Sequence, residues 1–447
     1  MPETAAQQRL ISLDVFRGMT IAGMVLVNNP GKWSAIYGPL KHAEWHGITP
    51  TDYIFPFFLF IVGVAIPIAL SKRVAAGITR DVYFKIISRS FLIFALGILM
   101  SAIPFFNFAE TTIPYPVKIL AVLGYSAALF FYLWDKPLVA LITAVATAAV
   151  ISVFWLSGYV VVPYNISTMR IPGVLQRIAV CYLVVSIIYL HTTWKQQAII
   201  GIALLLLYWL LMTVIPVPGC DAATIDDKAC NLAAWLDRTI LTENHIWRAG
   251  KVFDPEGILS TLPAIVTTLS GVLTGTWLRR YESTVQGNGA EPAKAGTQNE
   301  TALGLFFAGT VLLAVGWAWS LVFPLNKSLW TSSYTVYTSG LALLTLGFCY
   351  FVIDVKGYKR WAKPFVIFGV NALALFVFSG IMARLLGMMR LAGPEGKEIS
   401  LQQWIFTNIY LSIWSPLNAS LAYAVSFILF WLFLMWLLYR RRIFIKV

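Results

Sequence analysis

Charge is scarce in this sequence. Asp, Glu, Lys and Arg together make up 12% of its 447 residues, about half their usual share in soluble domains, while 59% are hydrophobic. Such a chain cannot cover a folded surface with polar groups, which excludes a soluble globular protein. The loops on which soluble enzymes build their chemistry are missing too. There is no Walker-type loop, no G-x-G-x-x-G, no H-x-x-x-x-D and no nucleophile elbow, which removes the usual soluble enzyme classes. Histidine and cysteine number four each; they show no zinc-type spacing, and no metal is expected. No internal repeat is visible, which argues against a transporter built on inverted halves. The first apolar run has no small-residue cleavage site behind its polar start, M-P-E-T-A-A-Q-Q-R-L, so no removable signal peptide is expected.

What the sequence has in abundance is apolar runs of about twenty residues, the length that crosses a bilayer. They predict an all-α polytopic membrane helix bundle of about 12 spans, one domain over 1–447. The spans fall near 11–30, 52–71, 86–106, 117–134, 137–158, 170–190, 196–216, 257–278, 301–323, 331–353, 365–387 and 418–439. With both termini cytoplasmic, about 20 of the 33 Lys and Arg lie inside, among them Lys72, Arg73, Arg80, Lys85, Arg89, Arg440 and Lys446. That bias accounts for the net charge of +13 without nucleic acid. A bacterial inner membrane is the expected location.

Three polar stretches interrupt the runs. Residues 280–300 are polar, rich in small residues, and read as a flexible cytoplasmic linker. The longest outer loop, 217–255, holds Cys220 and Cys230, the two cysteines outside apolar runs, and a disulfide between them is expected on an oxidising side. The third, 28–52, is the one around which the chain is organised: it carries His42 and His46, two of the four histidines. Histidine is the side chain best suited to proton transfer near neutral pH, although a loop histidine can also be merely solvated.

Other polar groups share that outer end. Asn28 is either a helix C-cap or an amide donor to an oxyanion. Asp52 either caps the second span or orients His42. Arg177, one turn into a span, either snorkels outward or binds an anion. Asp254 and Glu256 close the 217–255 loop. On the inner side, Asp14 and Arg17 share a helix face at i, i+3 and read as an ion pair.

The blocks L-D-V-F-R-G-M-T-I-A-G-M-V-L-V-N, K-H-A-E-W-H-G-I-T-P-T-D-Y-I-F-P-F-F-L-F-I-V-G, R-I-P-G-V-L-Q-R, V-P-G-C, D-P-E-G-I-L-S-T, P-L-N-K-S-L-W-T-S-S-Y and Y-R-R-R-I-F-I-K-V together resemble the heparan-alpha-glucosaminide N-acetyltransferase family, in order and over nearly the whole chain. The resemblance implies transfer of an acetyl group from cytoplasmic acetyl-CoA, across the membrane, to the amine of a glucosamine-type sugar. It puts the catalytic histidine at His42 and an asparagine of the acetyl-CoA reaction centre at Asn28. Two departures stand out: Trp45-His46-Gly47 replaces the W-N-G of the lysosomal member, and residues of about 107–168 insert a hairpin into a ten-span pattern. The large luminal N-terminal domain of the lysosomal member has no counterpart here, which makes a small amino sugar or cell-wall fragment a plausible acceptor.

On this reading His42, Asn28 and Asp52 carry the chemistry, and Trp45, His46, Arg177, Asp254 and Glu256 meet the acceptor. Asp14, Arg17, Lys72, Arg73 and Arg89 are the candidates for the cofactor, although the positive-inside bias explains the last three equally well. Acetyl-CoA, an acceptor glycan and the lipid bilayer are the expected partners, and the resemblance implies a homodimer. Two alternatives stay open from the residues: an amino-sugar permease without covalent chemistry, and an O-acetyltransferase of envelope glycans. A scaffold or flippase partner in envelope assembly is a third.

Overall fold

The computed structural model describes residues 10–286, 295–393 and 397–445. Eleven helices among them are long and apolar enough to cross a membrane, and a bent helix pair passes the same test when taken together, up to the 12 that the hydropathy predicts. Lys446 and residues 287–294 of the expected linker lie outside the described residues. The rest of that linker is helical, because α9 (below) runs to Gln286 and its successor starts at Ala295. Polarity reports that a segment is solvated, and Glu, Gln and Arg still favour helix there.

Helix α1 (Ile11–Asn28) leads into the histidine loop. A short 3-10 turn, Pro50–Tyr53, then feeds α2 (Ile54–Ala75), the central helix of the bundle. Its successors are α3 (Arg80–Ser101), α4 (Tyr115–Leu133) and α5 (Pro137–Leu156). The last two form the inserted hairpin. Gly124 of α4 receives Thr147 of α5 at close range, yet only 6% of the α5 span is buried. Apolar on nearly all sides, α5 is suited to face lipid.

Next come α6 (Val174–His191) and α7 (Trp194–Val214). The expected outer loop that follows contains a helix, α8 (Leu232–Leu241), capped by the Asn231 side chain accepting from Ala234 N at 2.9 Å. Cys220 and Cys230 are joined in a disulfide beneath it. Helix α9 (Thr261–Gln286) packs on α2 with the backbones almost touching. A Cβ on Gly63 would lie 1.9 Å from the Thr268 carbonyl oxygen, and one on Gly271 2.1 Å from that of Phe60. In a membrane such small-residue contacts supply the dispersion and packing that hold helices together.

Helices α10 (Ala295–Ser320) and α11 (Ser332–Cys349) form a tight pair. The eleventh expected span is broken: α12 (Lys363–Val370) and α13 (Ala372–Met388) meet at 81°. The break sits at buried Asn371, whose Nδ2 donates to Ile443 O at 3.0 Å and whose Oδ1 accepts from Ile445 N at 2.8 Å. The Asn371 side chain thereby ties the backbone of Ile443 and Ile445 to the break. An outer hairpin of β1 (Arg390–Ala392) and β2 (Glu398–Ser400), registered Leu391 to Ile399, and the short α14 (Leu401–Ile405) lead to α15 (Pro416–Arg440).

Candidate active site

The histidine loop is short of regular structure, so its shape is set by contacts with other loops. Trp45 Nε1 donates to Ile225 O at 2.9 Å, and its ring packs edge-on against Phe253. His46 Nε2 lies 2.8 Å from Asp226 and its Nδ1 3.4 Å from Asn326 Nδ2, while Gly47 N donates to Leu325 O at 2.8 Å. Gly47 adopts φ +101°, a backbone state open to glycine at little cost. Two residues expected to meet the acceptor, Trp45 and His46, are thus engaged in clasping the loops before α8 and α11. At the other end, Gly31 N and Lys32 N donate to the Ser420 carbonyl and hydroxyl of α15.

Held this way, His42 meets Asp52. Its Nδ1 lies 2.6 Å from Asp52 Oδ1, and the carboxylate is buried while the imidazole is half exposed. Ala43 N donates to Oδ2 at 3.1 Å, and Thr49 N to the same oxygen at 3.0 Å. The two readings of Asp52 are therefore both realised, one oxygen capping the turn before α2 and the other orienting the histidine. Tyr334 OH donates to the Asp52 carbonyl at 2.6 Å, which ties the pair to α11. Against an ionised carboxylate Nδ1 carries the hydrogen and Nε2 is the basic nitrogen.

Sequence reasoning missed the cation beside them. Lys327 Nζ lies 2.9 Å from His42 Nδ1, 3.2 Å from Nε2 and 3.6 Å from Asp52 Oδ1. Burial pushes its ammonium below the ordinary lysine range, opposed by the charges of Asp52 and Glu256. A signal was present, because a lysine in an outer loop runs against the positive-inside bias.

Behind this group stands a second network that was also missed. Arg170 forks onto Asp254, Nε to Oδ2 at 2.9 Å and Nη2 to Oδ1 at 2.6 Å, and also contacts Glu256. Burial works against the guanidinium charge, and the two carboxylates overcome it, holding Arg170 above its ordinary value. Asp254 and Glu256 are thus already paired. Arg177 does not snorkel: it is buried over the Trp330 ring at 5.1 Å and donates to Gly257 O at 3.0 Å and to Ser260 Oγ. Its Nε and Nη1 have no hydrogen-bond partner among the described residues, so the anion reading stays open.

Asp237 of α8 props up the same turn, accepting from Ile258 N at 2.8 Å. Burial raises its carboxyl to about 7, and the neighbouring Asp254 adds to the effect. A proton held by the folded state and lost by the unfolded one above about pH 4 makes stability fall as pH rises from about 4 to 7. Asp237→Asn, a mimic of the protonated acid, is expected to remove that slope, which melting curves of both proteins over pH 4 to 8 would check.

Asn28 ends α1 with an exposed side chain, whereas the capping role falls to buried Asn29, whose Nδ2 donates to Val25 O at 2.8 Å. The other two histidines sit apart, His191 on Tyr83 OH and His245 on Met169 O.

A cavity of about 460 Å³ runs along α2 from Leu70 to Phe58, bounded by α1, α3, α6 and the α12–α13 break. Twelve residues of helix correspond to roughly 18 Å, and Phe58 stands only about 9 Å of helical rise from Asp52. Its walls are mostly apolar, and the charged residues in them are Arg17 and Arg89. Arg17 is ion-paired with Asp14 at 3.3 Å, and Arg89 lies over the Tyr182 ring at 5.0 Å. Lys72 and Arg73 are exposed in the last turn of α2 and do not line the cavity.

Comparison with known proteins bears out the resemblance. Residues 9–171 match the family model described as heparan-alpha-glucosaminide N-acetyltransferase, catalytic. The mouse heparan-alpha-glucosaminide N-acetyltransferase is 27% identical over 427 residues, 84% of this chain and 54% of its own length. The human protein of the same name is 27% identical over 419 residues, 84% of this chain and 53% of its own. The chain spans about half the length of these curated relatives.

Proposed function

We propose, from its kinship with the heparan-alpha-glucosaminide N-acetyltransferases, that this polytopic membrane protein transfers the acetyl group of cytoplasmic acetyl-CoA to the amine of a glucosamine-type sugar on the periplasmic side of a bacterial inner membrane. The observation that supports this reading is the cavity along α2, which carries Arg17 and Arg89 in its wall and extends to Phe58, about 9 Å of helical rise from Asp52. A largely apolar channel with two cations in its wall suits a cofactor with a phosphorylated nucleotide and a thin pantetheine arm. Arg17 and Arg89 would meet the phosphates, and the thioester would lie beneath His42.

The acceptor amine attacks the thioester carbon, the carbon–sulfur bond breaks, and coenzyme A leaves as the thiolate. His42 takes the proton from the attacking nitrogen at Nε2 and returns it to the sulfur, so that no proton is gained or lost. Asp52 holds the imidazole through Nδ1, and the Asn28 amide donates to the oxygen on which charge develops. Arg177 offers its unpartnered N–H groups to acceptor oxygens, and Trp45 and His46 shape the loop that covers them.

Incubation of purified protein with labelled acetyl-CoA and glucosamine is expected to give labelled N-acetylglucosamine with stoichiometric release of coenzyme A. Stabilisation by acetyl-CoA without transfer to glucosamine would redirect the search to other amines and alcohols. Neither binding nor transfer would overturn the reading in favour of a permease. The cavity has its own test. Ala65→Trp, midway along α2, is expected to abolish both stabilisation by acetyl-CoA and transfer without touching the outer site.

A further inference from the structure

The most unusual neighbour of His42 is Lys327, which comes from the loop between α10 and α11, 285 residues away in sequence. That loop is firmly built. Buried Asn326 accepts from Leu329 N at 2.9 Å through its side chain and donates its backbone N–H to Thr331 Oγ1 at 3.1 Å. Trp330 is buried with its ring edge-on to Phe55 and Tyr334. The Lys327 side chain is 22% exposed and has a short, defined reach to the imidazole.

Two opposite charges therefore act on one ring. The Asp52 carboxylate at 2.6 Å from Nδ1 favours a protonated histidine, and an ammonium about as near opposes it. A full charge within 4–6 Å moves a titration by about 1–3 pH units, so either one alone would dominate. The ammonium lies 2.9 Å from Nδ1 and 3.2 Å from Nε2, beside both ring nitrogens, so it acts on the ring through its charge.

We propose that Lys327 is a positioning residue whose charge offsets Asp52 at His42 and holds the imidazole neutral, able to accept the proton of an incoming amine. Its catalytic meaning rests on the acetyltransferase reading, but its effect on the His42 titration does not. The groups around the imidazole are Asp52, Tyr53 and the exposed Lys41 and Glu44 from its own stretch, and Lys327 from the α10–α11 loop. Glu256 and Asp254 come from the turn before α9 with their partner Arg170, Arg177 from α6 and Tyr334 from α11. Within that set, Asp52 and Lys327 are the groups at hydrogen-bonding distance from the ring among the described residues.

The test is a pH titration of ¹⁵N-histidine-labelled protein without substrate, the His42 signals being assigned by their loss in His42→Gln. Lys327→Met is expected to move the His42 midpoint up by one pH unit or more, and Lys327→Arg to restore it. Asp52→Asn is expected to move it the other way. In acetyl transfer, the acidic limb of kcat/KM should follow the same upward shift, costing Lys327→Met about tenfold more activity at pH 6 than at pH 8. A midpoint unmoved in Lys327→Met would overturn the proposal even with transfer impaired. Should that variant fail to fold, Lys327→Gln, which keeps a donor without the charge, gives the same reading. If wild type shows no acetyl transfer while the midpoint shifts as expected, the acetyltransferase reading falls and the electrostatic role of Lys327 stands.

Discussion

Replacing His42 by alanine is expected to lower acetyl transfer by about 10²–10⁴-fold while leaving the protein folded. The magnitude is that of losing a positioned general base. The side chain is 47% exposed and packs in no core cluster, so its removal leaves no sizeable cavity. Its removal leaves Asp52 with Ala43 N and Thr49 N on Oδ2 and the Lys327 ammonium 3.6 Å from Oδ1. Binding should survive as well, because the cavity that would hold the cofactor is lined by other residues. The measurement is turnover of labelled acetyl-CoA beside the melting midpoint with and without acetyl-CoA. Lost turnover with retained stabilisation places His42 in the chemistry. Turnover within a few-fold of wild type would remove it from that role and turn attention to Lys327 as the base.

The second large effect concerns stability. Arg170→Ala is expected to destabilise the protein by about 3–5 kcal/mol, the usual result of breaking a buried ion pair and leaving its carboxylates uncompensated. Here two carboxylates are stranded, and the Asp254 side chain has no exposed surface at all. The turn they belong to also carries Gly257, whose carbonyl receives Arg177, and Ser260 at the start of α9. Its loosening should therefore reach the packing of α6 against α9. Arg170→Lys should recover only part of the loss, because an ammonium cannot reproduce the fork onto both oxygens of Asp254. Thermal melts in detergent would show the order wild type, Lys, Ala. An alanine variant as stable as wild type would mean that water enters the turn and solvates both carboxylates.

Much of the site was legible because its members are local. His42 and Asp52 are ten residues apart, within one loop and the turn that ends it, and the residue types alone suggest their partnership. Asn28 was legible as either a C-cap or an amide donor, and the structure gives the cap to the buried Asn29 beside it. Arg170 escaped because it reads as the flank of a span, and its two acidic partners lie more than eighty residues downstream. For the same reason Asp254 and Glu256 looked available to a ligand. Trp45 and His46 looked equally available, and only the folded loops reveal what they clasp.

Composition and hydropathy by themselves determined that this chain spans a membrane about twelve times, where the spans lie, and which end carries the histidines. Those properties are sums over neighbouring residues, and the bilayer reads them that way. Tertiary structure alone decided that one span breaks at Asn371, that a cavity opens along α2, and that Lys327 stands against His42. Each depends on which helix faces meet, and meeting faces are fixed by close packing of small residues such as Gly63 and Gly271 and by polar pairs whose partners lie 72 to 285 positions apart.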